Sequence, residues 1–341
     1  MKREYYFFII ISFYVPLYSW SWLHDMKLPE SHFFKNVKDV WEIEKKELPY
    51  FSQLLFSWNA LRAKGYFSFW VQARDGVTKR WYNWHQMAQW GIDNKGEKVQ
   101  RSLQSESKRG TRYVYVRLEM PSYRLADAFR IKIKAHQGAN ISDIKRVTVN
   151  IVNLKKFSSE VNSTVLTQLP SVHISRVPQR SQMVLKHPRY DSLCSPTSTT
   201  MLVSYLLQKN LDPRDIAQGV YDHGLGVYGS WPFNVAHAFE VCEGKIAFHV
   251  ERLASFKDLH SHLLQGMPVV VSVRGPLKDA PLPYAKGHLL IVVGYNKRFK
   301  KVLCQDPAFG SDDETAVAYD LKHFLRAWER SHRLAYVATH L

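Results

Sequence analysis

Short segments in which apolar and polar residues alternate dominate the chain between about residues 41 and 152. These segments cover residues 54–58, 66–74, 113–118, 128–133 and 147–152. Turn-forming pairs such as Lys64-Gly65 and Asp75-Gly76 separate them. Because strands of this length bury one face and expose the other, the pattern predicts an antiparallel β-sandwich.

The pattern changes after about residue 190, where helical spacing comes first. Met201, Leu202 and Tyr205 recur on one helix face, and Pro196 lies where the first turn would begin. Further helices are predicted over residues 212–224, 255–266 and 320–330, and strands over residues 268–273, 289–293, 301–305 and 334–339. Helices followed by antiparallel strands are typical of an α+β domain.

A polar stretch rich in Ser, Thr and Asn, residues 155–168, separates the two patterns and shows no sustained period. It reads as a linker, and each side is long enough to fold independently. The predicted organisation is therefore a segment 1–21, a β-sandwich-like domain 22–154, a linker 155–170 and an α+β domain 171–341.

The first 21 residues have the layout of a secretory signal peptide. Lys2 and Arg3 precede an apolar and aromatic run over residues 5–18, and small residues alternate around Trp20. No other stretch approaches the ~20 apolar residues that a membrane helix needs. We expect a secreted, periplasmic or cell-envelope protein without a further membrane span, whose first segment is either cleaved or kept as an anchor.

A formal net charge of +17 favours acidic partners through long-range attraction. Lys and Arg are scattered along the chain, and no zinc-finger or RNA-recognition pattern accompanies them, so nucleic acid is not expected as a partner. An anionic envelope polymer fits the charge, as does simple solubility. Tryptophans of the N-terminal half either fill the sandwich core or stack on sugar rings of such a polymer: Trp58, Trp70, Trp81, Trp84 and Trp90.

Cys194 is the candidate nucleophile of the C-terminal half. It stands at the predicted start of the helix, where unpaired backbone N–H groups and the helix dipole favour thiolate over thiol. The alternative is a buried cysteine that acts as a small apolar side chain. Polar, turn-forming neighbours such as Asp191 and Ser192 argue against a core strand and favour the nucleophile.

A cysteine nucleophile needs a base, a group that orients the base, and donors for the oxyanion. His288 opens the apolar run 289–293, and Asp306 ends the next strand, so both lie towards the same end of the predicted sheet. Asp306 can then accept the second imidazole N–H. Gln182, twelve residues before Cys194, can donate its amide to an oxyanion beside the Cys194 backbone N–H.

These residues and their order resemble the papain-like cysteine peptidases, most closely the bacteriocin-processing family that removes double-glycine leaders and its stand-alone secreted C39-like relatives. The matching pieces are Ser-Gln at 181–182, Cys-Ser-Pro-Thr-Ser at 194–198, Gly-His-Leu at 287–289 and Asp-Pro at 306–307. They span roughly residues 177–341. Residues 56–60 and 80–84 show a weaker likeness to the β-rich N-terminal domain of some secreted relatives.

The resemblance implies a thiolate attack on a peptide or protein substrate, with Cys194 as nucleophile, His288 as base and then acid, Asp306 as orienter and Gln182 as oxyanion donor. Relatives usually carry glycine directly after the nucleophile, where this chain has Ser195. The same groups serve amidases and transpeptidases. A non-catalytic envelope-binding protein with an inactive papain-like domain is the alternative from another class.

The other polar groups predict no cofactor and no metal site. The remaining histidines show no spacing that fits one helix face and adds a third ligand, and no phosphate-binding loop is present. Cys242 and Cys304 form an even pair if Cys194 is free, so they are either bridged in an oxidising compartment or two inert core thiols. The glycine-rich loop 224–229 and Trp231 after it either border the substrate cleft or anchor the next helix.

Overall fold

The computed structural model describes residues 19–27, 35–37 and 39–340. The predicted signal segment 1–21 lies outside the described residues except for its last three. Antiparallel sheets make up most of the described chain, and five α-helices accompany them there, all in the C-terminal half. The expected order of helices before strands in that half is met in part: three helices come before the main strands, and the other two lie among the strands.

The described part of the N-terminal half contains twelve strands: β1 (Ser21–Lys27), β2 (Lys35–Val37), β3 (Val40–Lys45), β4 (Gln53–Ala60), β5 (Tyr66–Asp75), β6 (His85–Ile92), β7 (Lys98–Ser102), β8 (Ser105–Glu106), β9 (Arg112–Val114), β10 (Arg117–Glu119), β11 (Ala126–His136) and β12 (Ile144–Val152). They pair into two six-stranded sheets in the orders β1-β12-β4-β10-β9-β8 and β2-β3-β11-β5-β6-β7. Large side chains of both sheets, among them Trp58, Phe69 and Trp90, share one core.

The tryptophans of this half divide into rings that fill the core, which is one of the two roles predicted, and rings that lie outside it. Trp58 and Trp90 are fully buried, with ring centroids 6.1 Å apart. Trp81 and Trp84 are half-buried instead, and cations of β11 cover their rings: the Arg130 guanidinium lies 4.0 Å from the Trp81 ring centroid. These outer rings are therefore held by cation–π contacts rather than by the core.

The remaining elements are β13 (Val172–His173), α1 (Cys194–Leu207), α2 (Pro213–Val220), α3 (Trp231–Val241), β14 (Ile246–Arg252), α4 (Phe256–Leu264), β15 (Val269–Gly275), β16 (Tyr284–Asn296), β17 (Lys301–Gln305), β18 (Ala316–Asp320), α5 (Leu321–Glu329) and β19 (Leu334–His340). The strands form one antiparallel sheet in the order β14-β19-β15-β16-β17-β18, and β13 pairs with β16. Helix α1 packs against β16, and Ser198 Oγ donates to the Leu289 carbonyl at 3.0 Å.

The two halves are joined by buried polar contacts between β4 and β14. Asn59 Nδ2 donates to Phe248 O at 2.7 Å, and Phe248 N donates to Asn59 Oδ1 at 3.0 Å. Val250 N donates to Ser57 Oγ at 3.2 Å. The Trp58 ring meets Phe233 of α3 edge to face, with centroids 5.7 Å apart. The halves therefore share a continuous interior at this junction.

The glycine-rich loop before α3 is held against the edge strand β7. His223 N donates to Gln100 O at 3.0 Å, and Ser102 N donates to Asp222 Oδ1 at 2.8 Å. A Cβ atom at Gly224 would lie 1.9 Å from Ser102 O, so only glycine fits there. Trp231 starts α3 and packs under the Arg252 guanidinium, 5.9 Å from its ring centroid, as an anchor of the helix.

The segment predicted as a linker is bound to the C-terminal half. Ser159 Oγ donates to Glu329 Oε2 at 2.5 Å, and Phe256 N donates to Glu160 Oε2 at 2.8 Å. Leu166 is buried in the C-terminal core. The polar composition of residues 155–168 thus serves contacts with α4 and α5.

Candidate active site

Cys194 is the first residue of α1 and is partly buried. Burial acts to raise the pKa of its thiol. The hydrogen bond to His288, the charge of that imidazole and the backbone N–H groups of Leu289 and Ser195 outweigh burial and hold the pKa below its ordinary value. The helix start adds the positive end of the α1 dipole. The arrangement favours a thiolate.

His288 lies on β16 directly opposite Val273 of β15, and it is buried. The register of the two strands shifts between Val273 and Gly275, and Gly287 has a φ of 93°, so the backbone is irregular just before the imidazole. The imidazole Nε2 donates to Asp306 Oδ1 at 2.7 Å, which leaves Nδ1 for Cys194. Burial lowers the pKa of His288, but the charge and hydrogen bond of Asp306 more than compensate and raise it.

Asp306 follows β17 and is completely buried. Its Oδ1 accepts hydrogen bonds from His288 Nε2 and from Ala308 N at 3.0 Å. Its Oδ2 accepts from the hydroxyls of Tyr284 and Tyr319, both at 2.7 Å. Burial alone would raise the pKa of this carboxyl, but the His288 charge and these donors hold it below its ordinary value. Asp306 is therefore a fully satisfied carboxylate.

Tyr284 and Tyr319 are site residues that the sequence reasoning missed. The Tyr284 ring also stacks on the His288 imidazole, with centroids 4.1 Å apart and an interplanar angle of 14°. Tyr284 stands four residues before His288, and Tyr319 lies on β18, which pairs with β17 just before Asp306. The pairing of β18 with β17 was the signal that could have found Tyr319, whereas the position of Tyr284 depends on the irregular pairing of β15 with β16.

Gln182 is buried beside the turn that leads into Cys194. Its Nε2 donates to Tyr190 O at 3.1 Å and to Asp191 O at 2.9 Å. Its buried Oε1 has no hydrogen-bond partner among the described residues. Cys194, His288 and Asp306 thus form one chain of hydrogen bonds, while Gln182 holds the residues before the nucleophile.

Ser195, which stands where relatives usually carry glycine, points into the protein. Its hydroxyl is buried and hydrogen-bonds the Tyr336 hydroxyl of β19 at 2.9 Å. The serine side chain is therefore accommodated by a polar partner on the central sheet rather than directed at the thiol.

The described chain also answers three further questions, on the two other cysteines, on metal ligands and on membrane helices. Cys242 and Cys304 are free, buried thiols, and burial raises the pKa of each. Within residues 19–27, 35–37 and 39–340, no three His, Cys, Asp or Glu side chains are grouped so as to hold a metal ion. No helix in that part of the chain has the length and apolar character to cross a membrane.

Comparison with known protein families found a match, which covers the C-terminal half of the chain. Residues 174–336 match the model of the Peptidase_C39 like family. No curated protein matches the sequence significantly.

Two solved structures overlap part of this chain. One is described as a C39-like peptidase from Bacillus anthracis, with 17% identity, a TM-score of 0.40, and coverage of 50% of this chain and 98% of that one. The other is xylellain, a cysteine protease from Xylella fastidiosa, with 13% identity, a TM-score of 0.32, and coverage of 54% and 91% respectively. At these identities neither neighbour assigns a role to any residue here.

Proposed function

Since residues 174–336 match the model of the Peptidase_C39 like family, we propose that this chain hydrolyses peptide amide bonds through a thioester on Cys194. The observation that carries the proposal is the hydrogen-bonded chain from Cys194 through His288 to Asp306. Nothing in the packing of a helix on a sheet requires these three groups to meet, whereas acyl transfer does.

In the first half of the reaction, the Cys194 thiolate attacks the carbonyl carbon of the peptide, and an S–C bond forms. The carbonyl oxygen takes the negative charge, which the Cys194 backbone N–H stabilises. The C–N bond then breaks as His288 gives its proton to the leaving amine. In the second half, His288 removes a proton from water, the resulting hydroxide attacks the thioester, and the S–C bond breaks to restore the thiolate.

Gln182 is the proposed side-chain donor to the oxyanion. In the free protein its amide group donates hydrogen bonds to the carbonyls of Tyr190 and Asp191. Rotation of the amide releases one proton towards the substrate oxygen, and the other keeps the turn before Cys194 in place. Hydrogen bonds at catalytic sites often tighten only when substrate is bound.

The finer assignments belong to the same proposal. We interpret the two N-terminal sheets as a β-sandwich-like accessory domain, and the chain as a secreted or cell-envelope peptidase. The signal-like layout of residues 1–21 supports that location. The substrate is a peptide or protein.

The test compares iodoacetamide labelling of Cys194 across pH in the wild-type protein and in His288→Ala. An ordinary thiol with a pKa near ~8.5 is almost wholly protonated at pH ~6 and reacts slowly. We expect fast labelling to persist there in the wild type, since its thiol pKa is lowered. The variant should lose this rate, because removing the imidazolium leaves burial to raise the thiol pKa.

Peptide hydrolysis measured over the same pH range completes the experiment. Activity should fall at low pH as the thiolate takes up a proton, and at high pH as His288 loses the proton that the amine requires. Labelling that follows an unperturbed thiol in both proteins would refute the proposal and favour a non-catalytic binding role.

A further inference from the structure

Three loop segments meet at one end of the two N-terminal sheets: residues 46–51, 75–80 and 121–125. Gly76 N donates to Leu125 O at 2.9 Å, and Phe51 N donates to Ala126 O at 2.9 Å. A Cβ atom at Gly76 would lie 2.5 Å from the Tyr50 ring, so the first two segments are in contact. We call their exposed residues, together with the adjacent turn 108–110, the loop-tip patch.

The patch exposes three large apolar or aromatic side chains. Tyr50 is 51% exposed, and Val77 and Tyr123 are each 74% exposed. Single exposed apolar residues are ordinary on protein surfaces. Three such residues on loop tips that contact one another are less ordinary. Tyrosine favours the boundary between water and lipid headgroups.

Cations surround these side chains, and the same segments carry only two carboxylates, of which one is buried. The cations on the patch are Lys46, Lys79, Arg80, Lys108, Arg109 and Arg124. Lys46, Lys79 and Arg124 pair with Glu44, Asp127 and Asp75 respectively, so within the described chain Arg80, Lys108 and Arg109 are the cations of the patch that no ion pair neutralises. Arg109 Nη1 donates to Trp81 O at 3.4 Å, which places its turn beside residues 75–80. Asp75 is 5% exposed and accepts from the Tyr82 hydroxyl, so Glu47 is the one exposed carboxylate of the three segments.

The described chain also begins at this end of the sheets. Asn153 N donates to Trp20 O at 2.7 Å, while Asn153 Nδ2 donates to Tyr50 O at 3.0 Å. Residue 19 therefore lies beside the patch. The apolar run of residues 5–18 directly precedes it in sequence. A bilayer that takes up this run would face the loop-tip patch.

We propose that the loop-tip patch docks on an anionic lipid bilayer. The tyrosine rings and Val77 lie at headgroup depth, and the lysines and arginines meet lipid phosphates. Each cation near such a surface adds roughly fivefold to the affinity. The projecting loop tips fit a flat surface better than a single polysaccharide strand. This role is independent of the chemistry at Cys194, and it places the protein on the membrane without adding a span.

The test uses the full chain with Cys194→Ser and Val77→Cys, labelled with a polarity-sensitive fluorophore. Cys242 and Cys304 are buried and do not compete for the label. We expect the emission to shift to the blue with vesicles that contain phosphatidylglycerol, more than with phosphatidylcholine alone. The comparison separates the patch from the apolar segment, which binds both kinds of vesicle. Raised salt should weaken the anionic preference.

Arg80→Glu with Arg109→Glu should lower the preference for anionic vesicles at least about tenfold, because two cations are replaced by anions. The matched control is the turn after β16, where the exposed Phe299 lies between Arg298 and Lys300. A fluorophore at Phe299→Cys should not shift, and Lys297→Glu with Arg298→Glu should not change binding. Circular dichroism establishes that each variant is folded.

Equal shifts at positions 77 and 299, or no difference between the two kinds of vesicle, would overturn the proposal. A shift with soluble polygalacturonate but not with anionic vesicles would overturn it as well, since the partner would then be a polysaccharide.

Discussion

Asp306 is a single buried carboxylate that accepts four hydrogen bonds, and its negative charge governs the electrostatics of the candidate site. His288 and the Ala308 backbone share one oxygen, and Tyr284 and Tyr319 share the other. The tyrosines disperse the negative charge, and so they limit how strongly Asp306 holds the imidazolium proton. A buried carboxylate with fewer donors would attract that proton more strongly.

Tyr319→Phe should therefore move the upper limit of the pH profile for hydrolysis upwards. The sign follows from the raised pKa of His288: a less satisfied Asp306 raises it further, so the imidazolium persists to higher pH. The shift should reach at most about one pH unit, which corresponds to about 1.4 kcal/mol. The maximal rate should fall, because a weaker acid donates its proton to the amine less readily.

Tyr295→Phe is the matched control for this prediction. Its buried hydroxyl donates to Leu166 O at 3.3 Å, away from Asp306, so its pH profile should coincide with that of the wild type. If Tyr319→Phe lowers stability but leaves the profile in place, the tyrosine is a packing residue only.

At the scale of elements, local pattern predicted those features that depend on neighbours in sequence. The alternation over residues 66–74 corresponds to β5 (Tyr66–Asp75), and the helical spacing after Cys194 corresponds to α1. Strand ends brought His288 and Asp306 together as expected from two adjacent antiparallel strands. The stacking of Tyr284 on His288 was not predictable, since it depends on the register shift between β15 and β16.

The loop before α3 shows the same limit. Its glycines predicted a flexible loop, and the sequence left open whether the loop borders the cleft or leads into an anchor of the next helix. Its binding partner β7 lies more than a hundred residues earlier, and no local signal marks the contact. Arg189 Nη2 donates to Gly226 O at 2.9 Å, so the clamped loop also touches the residues that lead to Cys194. Strand β7 and the nucleophile segment thus hold the loop from two sides.

Gly224→Ala should break this clamp, because its Cβ would overlap Ser102 O. We expect a loss of about 1–3 kcal/mol in the free energy of unfolding, and faster proteolysis within residues 221–229. Gly229→Ala in the same loop is the control, since a Cβ there meets nothing within 4 Å. Equal resistance of both variants to urea and to protease would contradict the clamp.

At the scale of the molecule, composition and length predicted two units, and the junction between the two halves could not be predicted. Strand β14 is at the edge of its sheet, and side chains of β4 and β12 accept hydrogen bonds from its backbone. Phe248 N donates to Asn59, Val250 N donates to Ser57, and Arg252 N donates to Asn150. Polar residues at alternate positions are an ordinary feature of a strand, so the sequence does not show which groups these side chains bond.

Asn59→Ala should destabilise the whole protein. The change leaves the Phe248 N–H and C=O without their side-chain partner, at a cost of about 1–3 kcal/mol for each buried group. Calorimetry should show one unfolding transition for both halves, shifted to lower temperature. Asn83→Ala is the exposed control, with an expected effect within about 0.5 kcal/mol. Two separate transitions, of which the variant moves only one, would contradict this coupling.

The hydrogen bond between Ser195 and Tyr336 couples two positions that are far apart in the chain, because each buried hydroxyl is the partner of the other. A lineage that acquires serine after the nucleophile buries a hydroxyl, and tyrosine on β19 satisfies it. A lineage that keeps glycine has no such requirement and is free to carry phenylalanine there. Serine and tyrosine should therefore be gained and lost together as the family diverges.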